Sequence, residues 1–423
     1  MVLAIAAAVA LGAEVQISNS PESVERDILG TVLESLGGEA LCERRSLTVR
    51  GTTTATDVPA ALAGKVHGAL YLLPALLAQH GQAELSGFGG DKLGDFEFGM
   101  PRPLGHLLEL ITEFGASASF ASGRFSAQGR LRAARVDIRR WSESVERTVG
   151  PRVSSATKFA LLLGAACNGT TVIDNPHDKE AAHDLIQLLR DLGATIEQRR
   201  NSWLIRGGVK GGSARVDLTP DPAEVMTWQC IAALTRSSIA LRVSDSAKLG
   251  AALRDEMRVV PRIAIEPEWG DSTLVFGPAL ASFSGTKIGA ESDGISTDVL
   301  PMLAVQLFGA ETSSEIHDDV WSDRFKYLDA LRPMGVRFSR ESGGVRIYPS
   351  RLASASVPLV APDTRGVAVT IALALSTPGV HQILGATHLD RGYENFVTRL
   401  QRLGAEIEHR ESRRAHSPLP ALT

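Results

Sequence analysis

Residues 157–173, TKFALLLGAACNGTTVI, run an apolar helical pattern through a Gly-containing turn into a β-branched strand. The first part is apolar on nearly every side, which suits a helix buried all round rather than one lying on a surface. Val172 and Ile173, after Gly169, suit a pleated strand. The same order recurs where 298–308 leads through Gly309 into 313–316, and where 364–375 leads into Gly379 and Val380. Farther along each unit, a second helix ends in an apolar residue followed by Gly. The instances are Leu36-Gly37, Phe114-Gly115, Leu192-Gly193, Met334-Gly335 and Leu403-Gly404. A helix commonly ends on a residue at positive φ, which Gly adopts without steric cost.

Successive glycines lie 78, 78, 142 and 69 residues apart (115 − 37, 193 − 115, 335 − 193, 404 − 335). The long gap is about two periods, so a sixth, blurred unit is expected between 221 and 278. Each unit reads helix, strand, helix, strand, strand over about 70 residues, which predicts an α/β protein with strands walling in buried helices. Six units divide into two lobes of three, 1–219 and 220–415, with a tail at 416–423. The crossing falls at 209–219, marked by Gly211 and Gly212 and followed by Pro220 and Pro222. Ligands favour such interfaces, so the cleft between lobes is the expected site.

The composition is that of an ordinary globular chain: 423 residues, 44% hydrophobic and 22% charged. A net charge of −4 argues against nucleic acid as a partner, because phosphate backbones are held by a basic face. It leaves room for a small anion held by a few arginines. Cys42, Cys167 and Cys230 are odd in number and far apart, which points to a reduced intracellular setting and to no metal. Cys167 and Cys230 sit in apolar helices and read as core residues. The apolar opening, 1–15, has no leading Lys or Arg and reads as the first buried helix rather than a secretory signal. No segment approaches the roughly 20 apolar residues that span a bilayer. The expectation is a cytoplasmic protein without a membrane partner.

Residues 388–395, HLDRGYEN, followed by Leu403-Gly404-Ala405, resemble the C-terminal signature of the UDP-N-acetylglucosamine enolpyruvyl transferases. Asp363-Thr364-Arg365-Gly366 is similar to that family's Asp-x-Arg helix start. Ser296-Thr297-Asp298 resembles its Pro-Thr-Asp, 322–325 (SDRF) its Asn-Arg-Phe, and 220–224 (PDPAE) its entry to the second lobe. The shikimate-phosphate enolpyruvyl transferases share the fold but lack the C-terminal motif. The resemblance implies a pair of inside-out α/β barrels. It also implies transfer of the enolpyruvyl group of phosphoenolpyruvate to a hydroxyl of UDP-N-acetylglucosamine, for peptidoglycan and with no cofactor. Two other readings stand beside it: the same chemistry on a nucleotide such as UMP, as in nucleoside-antibiotic assembly, and a non-catalytic sugar-nucleotide binder.

Such chemistry needs a base for the attacking hydroxyl, an acid for C3 and fixed cations for phosphate and carboxylate. Asp298 opens an apolar helix and reads by itself as an N-cap; the resemblance makes it the base. Arg391, Arg365 and Arg102 are the candidate anion holders, since a guanidinium donates bidentately and stays charged. Arg391 sits in an Asp-Arg-Gly turn, where Asp390 could orient it. Asp363 and Arg324 complete the quoted motifs. The Gly-rich stretch 87–91 (GFGGD) carries Asp91 where the family has a cysteine acting as acid; an acid of raised pKa would serve, with Asp95 and Glu97 as alternatives. Ser154 and Ser155, after Arg152, occupy the nucleotide-holding segment of the family, and His67 stands in place of an arginine. Arg102-Pro103-Leu104 partly matches a uridine-contacting segment, though the expected following Asp is Gly105. The family's Lys-Asn pair and first strand precede the first helix, where this sequence opens. That implies a second lobe short of one strand and a donor-contacting lysine lacking, with Lys92 as a possible substitute. A start assigned too late, a divergent enzyme and an inactive paralogue all fit that opening.

Overall fold

The computed structural model describes residues 1–87, 89–91, 103–321 and 324–410. Helices Val2–Leu11, Leu72–His80 and Val153–Ala166 pack against one another, and so do Pro222–Leu234, Leu300–Gln306 and Thr364–Leu375. They are the uniformly apolar segments of the sequence. Ala4 to Leu11, for example, are all buried. The buried apolar side chains form two clusters, one drawn from Ala4 to Ile205 and the other from Ala223 to Leu400.

Polar side chains inside these helices are satisfied locally. Thr157, Thr227 and Thr370 donate their hydroxyls to the carbonyls four residues back, at 2.9, 2.8 and 2.7 Å. Gln229 and Gln306, both buried, exchange side-chain amide hydrogen bonds at 3.1 and 2.8 Å across the second cluster.

The strands lie outside the helices in six open sheets, and no closed barrel forms among the described residues. Strand Glu14–Ser18 pairs antiparallel with Ser46–Arg50 and parallel with Ser213–Asp217, which returns from far along the chain. Gln82–Ser86, Thr170–Asp174 and Ser314–Asp318 each likewise have one parallel neighbour. Ile239–Arg242 pairs antiparallel with Thr273–Phe276 and has no parallel neighbour among the described residues.

Gly37, Gly115, Gly193, Gly335 and Gly404 all have φ between 86° and 109°, the conformation that ends their helices. Between 221 and 278 the order is helix, strand, helix, two short helical turns (Glu256–Arg258 and Val260–Ile263), strand, strand, and the second helix, Ser246–Ala252, ends at Leu253 with Arg254 rather than a glycine after it. This is why that unit is blurred in the sequence. The last unit departs further: after Gly404 no strand follows among the described residues.

Contacts cross between the two clusters' surroundings at a few points. Arg147 pairs with Glu291 at 2.8 Å and Asp319 at 3.1 Å. The Gly150 N–H donates to Ser292 Oγ at 3.1 Å, and His177 Nε2 lies 2.9 Å from the Ser292 carbonyl. The Glu22 N–H donates to Glu394 at 3.0 Å.

The Gln229–Gln306 pair gives a stability test. Gln229→Leu strands a buried amide, so it is expected to cost about 1–3 kcal/mol. The double variant Gln229→Leu/Gln306→Leu removes both polar groups and should recover most of that loss. Urea unfolding midpoints of the three proteins read the difference.

Candidate active site

A cavity of about 510 Å³ opens where the ends of the buried helices meet. His67, Leu70 and Tyr71, from the 3-10 turn before Leu72–His80, line one side. Ser154, Ser155 and Lys158 come from the first turns of Val153–Ala166. Asp221, Pro222 and Ala223 open Pro222–Leu234, and residues 296–298 precede Leu300–Gln306. Much of the wall is thus helix N-termini, whose free N–H groups and aligned dipoles favour anions, with Glu256 and Glu291 also on the lining.

Asp298 does not cap its helix. The N-cap is Val299, and no side chain caps the turn. The Asp298 carboxylate instead pairs with the buried Arg324 guanidinium and lies 3.7 Å from Arg365 Nε. Two guanidiniums outcompete backbone N–H groups for a carboxylate. Thr297 beside it donates to Asp318 at 2.5 Å, and Asp318 in turn accepts the N–H groups of Val320 and Trp321 at 2.8 Å. Arg365 is held by the Tyr393 hydroxyl at 3.2 Å, which also meets Thr227 Oγ1 at 2.8 Å. Burial disfavours the Arg365 charge, but Tyr393, Asp298 and Asp221 more than offset it and keep the guanidinium cationic. Asp363 caps Thr364–Leu375 by accepting the Gly366 N–H at 2.7 Å.

Arg391 lies in the short helix Thr387–Gly392 rather than in a turn, and its described partners do not include Asp390, which is exposed. Its Nη2 donates to Asp91 Oδ1 at 2.5 Å and to Thr364 Oγ1 at 2.9 Å. Burial alone would raise the Asp91 pKa. The charge and hydrogen bond of Arg391, with His388 and Thr364 nearby, hold it below the ordinary carboxylate range instead. This corrects the expectation of an acid of raised pKa. The glycines place this carboxylate. The Gly89 N–H donates to the Ala63 carbonyl at 2.9 Å, a Cβ on Gly89 would meet Val66 N at 2.6 Å, and Gly90 has φ of 123°.

His67, Ser154, Ser155 and Asp298 therefore share the cavity wall, while Arg324 and Arg365 reach it through Asp298. Asp91, Arg391 and Asp363 are not among the cavity's lining residues and gather instead around Thr364, at the start of Thr364–Leu375. Arg102, Lys92, Asp95 and Glu97, with Ser322 and Asp323 of the SDRF motif, lie outside the described residues. Cys167 and Cys230 are buried, and burial pushes the Cys167 thiol up to about 11.

A model of the family described as EPSP synthase (3-phosphoshikimate 1-carboxyvinyltransferase) matches residues 2–411. The chain belongs to that family. Among curated relatives, the UDP-N-acetylglucosamine 1-carboxyvinyltransferase of Granulibacter bethesdensis is 29% identical over 86% of this chain and 82% of its own. The UDP-N-acetylglucosamine 1-carboxyvinyltransferase 2 of Geobacillus kaustophilus is 28% identical over 95% of this chain and 90% of its own. The enolpyruvyl transferase NikO from Streptomyces tendae superposes with a TM-score of 0.87 at 31% identity, covering 96% of this chain and 93% of that one. EPSP synthase from Acinetobacter baumannii, at 15% identity over 94% of this chain and 93% of that one, shares the fold with a TM-score of 0.65. No described helix is long and apolar enough to cross a membrane.

Several groups of this enolpyruvyl transferase family member escape a sequence reading. Thr364 and Tyr393 lie inside quoted motifs yet carry no signal of which arginine they hold. Lys158 Nζ meets Ser154 Oγ at 2.9 Å on the cavity wall, and only its helical spacing from Ser154 hints at this. His106 Nε2 lies 2.8 Å from Ser155 Oγ; since that hydroxyl donates to the Arg152 carbonyl at 3.1 Å, the imidazole donates to it.

Burial lowers the His106 pKa to about 3 and the His177 pKa to about 4, so both are neutral in the folded protein. Unfolding lets them titrate near the usual 6.5, so the unfolded chain binds more protons between about pH 6.5 and 4. Stability should therefore fall as pH falls through that window. Tm measured across it should drop more steeply for the wild type than for His106→Asn/His177→Asn.

Proposed function

We propose that this protein transfers the enolpyruvyl group of phosphoenolpyruvate to a hydroxyl of UDP-N-acetylglucosamine, releasing phosphate. The observation that carries the reading is the placing of Asp298 on a cavity wall built largely of helix N-termini, between Arg324 and Arg365. The wall suits an anionic acceptor, and Asp298 is the carboxylate at hand to accept the proton of its hydroxyl as the oxygen attacks C2. Arg391, with Arg365 close by, supplies fixed positive charge for the donor's phosphate and carboxylate. Asp91 gives C3 its proton; phosphate then leaves the tetrahedral intermediate as C3 returns a proton to the Asp91 carboxylate. Ser154 and Ser155 hold the nucleotide part of the acceptor, and His67 lines the same space. The relatives' names and the NikO likeness support the chemistry.

A second reading keeps that chemistry and changes the acceptor to a nucleotide such as UMP. Lys158 favours it. Its ammonium lines the cavity with a hydroxyl, not a carboxylate, as its contact among the described residues, and is open to a terminal phosphate.

Phosphate release from phosphoenolpyruvate with a panel of acceptors tests both readings. Release with UDP-N-acetylglucosamine supports the first, release with UMP alone supports the second, and release with no acceptor defeats them together. Asp298→Asn is expected to lower the rate by about 10²–10⁴ with donor binding retained.

A further inference from the structure

Asp91 sits in a place that its proposed role does not explain. A group that protonates C3 must first hold a proton, yet this carboxylate is 2.5 Å from Arg391 Nη2 and only 13% exposed. The same guanidinium nitrogen is anchored by Thr364 Oγ1, and His388 Nδ1 approaches the same carboxylate oxygen at 3.8 Å. Glu25, whose pKa burial raises and the Arg391 charge lowers, is another acidic neighbour of that guanidinium. The two partners stand 300 positions apart (391 − 91), so their meeting is a product of the fold and not of a local turn. The backbone behind Asp91 is pinned by the Gly89 bonds to Ala63 and Val66. An ionised side chain thus occupies the cation that the proposed function gives to the donor.

We infer that Asp91 is the resident anion of the phosphoenolpyruvate seat: the donor must displace its carboxylate from Arg391, and the displaced carboxyl takes up the proton that it later gives to C3. The inference rests on the enolpyruvyl transfer reading for the identity of the donor. Its physics is that of charge neighbours. A guanidinium at hydrogen-bond distance favours the carboxylate form; a phosphate or carboxylate in its place favours the acid form, as does burial. Donor binding and proton uptake are then linked, each favouring the other. The proton comes from solvent to an Asp91 oxygen and passes to C3 as the acceptor oxygen bonds to C2. When the C2–O bond to phosphate breaks, C3 returns a proton to Asp91. That proton and the acceptor proton held by Asp298 then pass to solvent and the leaving phosphate, and Asp91 again faces Arg391 as a carboxylate, with no net change in either residue. The same device charges the acid only when there is something to protonate.

Calorimetric titration of the full chain with phosphoenolpyruvate, in two near-neutral buffers of different ionisation heat, counts the protons taken up per donor bound. Comparing the wild type with Asp91→Asn cancels the donor's own ionisation. The wild type should take up more protons than Asp91→Asn, and the variant should bind the donor roughly tenfold more tightly because its competitor is gone. Phosphate release by the variant should fall. Equal proton counts, donor binding unchanged or weakened in Asp91→Asn, or no donor binding by either protein would each overturn the inference; thermal unfolding confirms that the variant is folded. Donor binding with the expected proton difference, but no phosphate release with any acceptor, would sink the proposed function and leave the inference standing.

Discussion

A helix that is apolar on every side can be buried on every side, and then only its ends can meet solvent. That constraint governs the molecule. Three such helices pack together in each of two groups, strands wall them in, and the N-terminal ends of four of the six line the cavity. Chemistry is confined to those ends because the helix bodies have no exposed face to offer. The polar residues that do lie within the bodies turn back on their own helix, as Thr157, Thr227 and Thr370 do, or pair across it, as Gln229 and Gln306 do.

The ends bring positive potential, and the site balances it with internal carboxylates. Asp298 meets Arg324 and Arg365, Asp91 meets Arg391, and Glu394 meets Arg399 and Arg45. The HLDRGYE motif is dense because almost every polar member has a separate structural duty. His388 and Arg391 face Asp91, Tyr393 steadies Arg365, and Glu394 accepts the Glu22 N–H. Such pairing keeps the guanidiniums fixed in orientation before any ligand arrives, which is the condition for strong electrostatic recognition.

Local chemistry was legible in the sequence. Gly37, Gly115, Gly193, Gly335 and Gly404 have the positive φ expected of helix-ending glycines, because that conformation depends on the residue itself. The apolar helices were legible because burial on all sides leaves a one-dimensional signature. Asp298 shows where such reading stops. Its position favours an N-cap, but two arginines brought in by tertiary packing claim the carboxylate. Asp91 was found as a candidate, yet its partner and its lowered pKa depend on a contact spanning most of the chain. The unit between 221 and 278 was blurred for a simpler reason: after the helix-ending Leu253, Arg254 stands where the others have glycine.

The return of Ser213–Asp217 to Glu14–Ser18 has a consequence for the order of folding. The first strand waits 199 positions (213 − 14) for its parallel neighbour. Loop-closure entropy grows only slowly with length, so the wait costs modest free energy, but it raises contact order and so slows folding. On the ribosome, that edge of Glu14–Ser18 stays unpaired until residue 217 has emerged, while its antiparallel pairing with Ser46–Arg50 can already form. An unpaired edge is a template for wrong partners. The first cluster of this protein is thus closed by its last strand, and the nascent chain is most exposed to mispairing just before the second cluster begins.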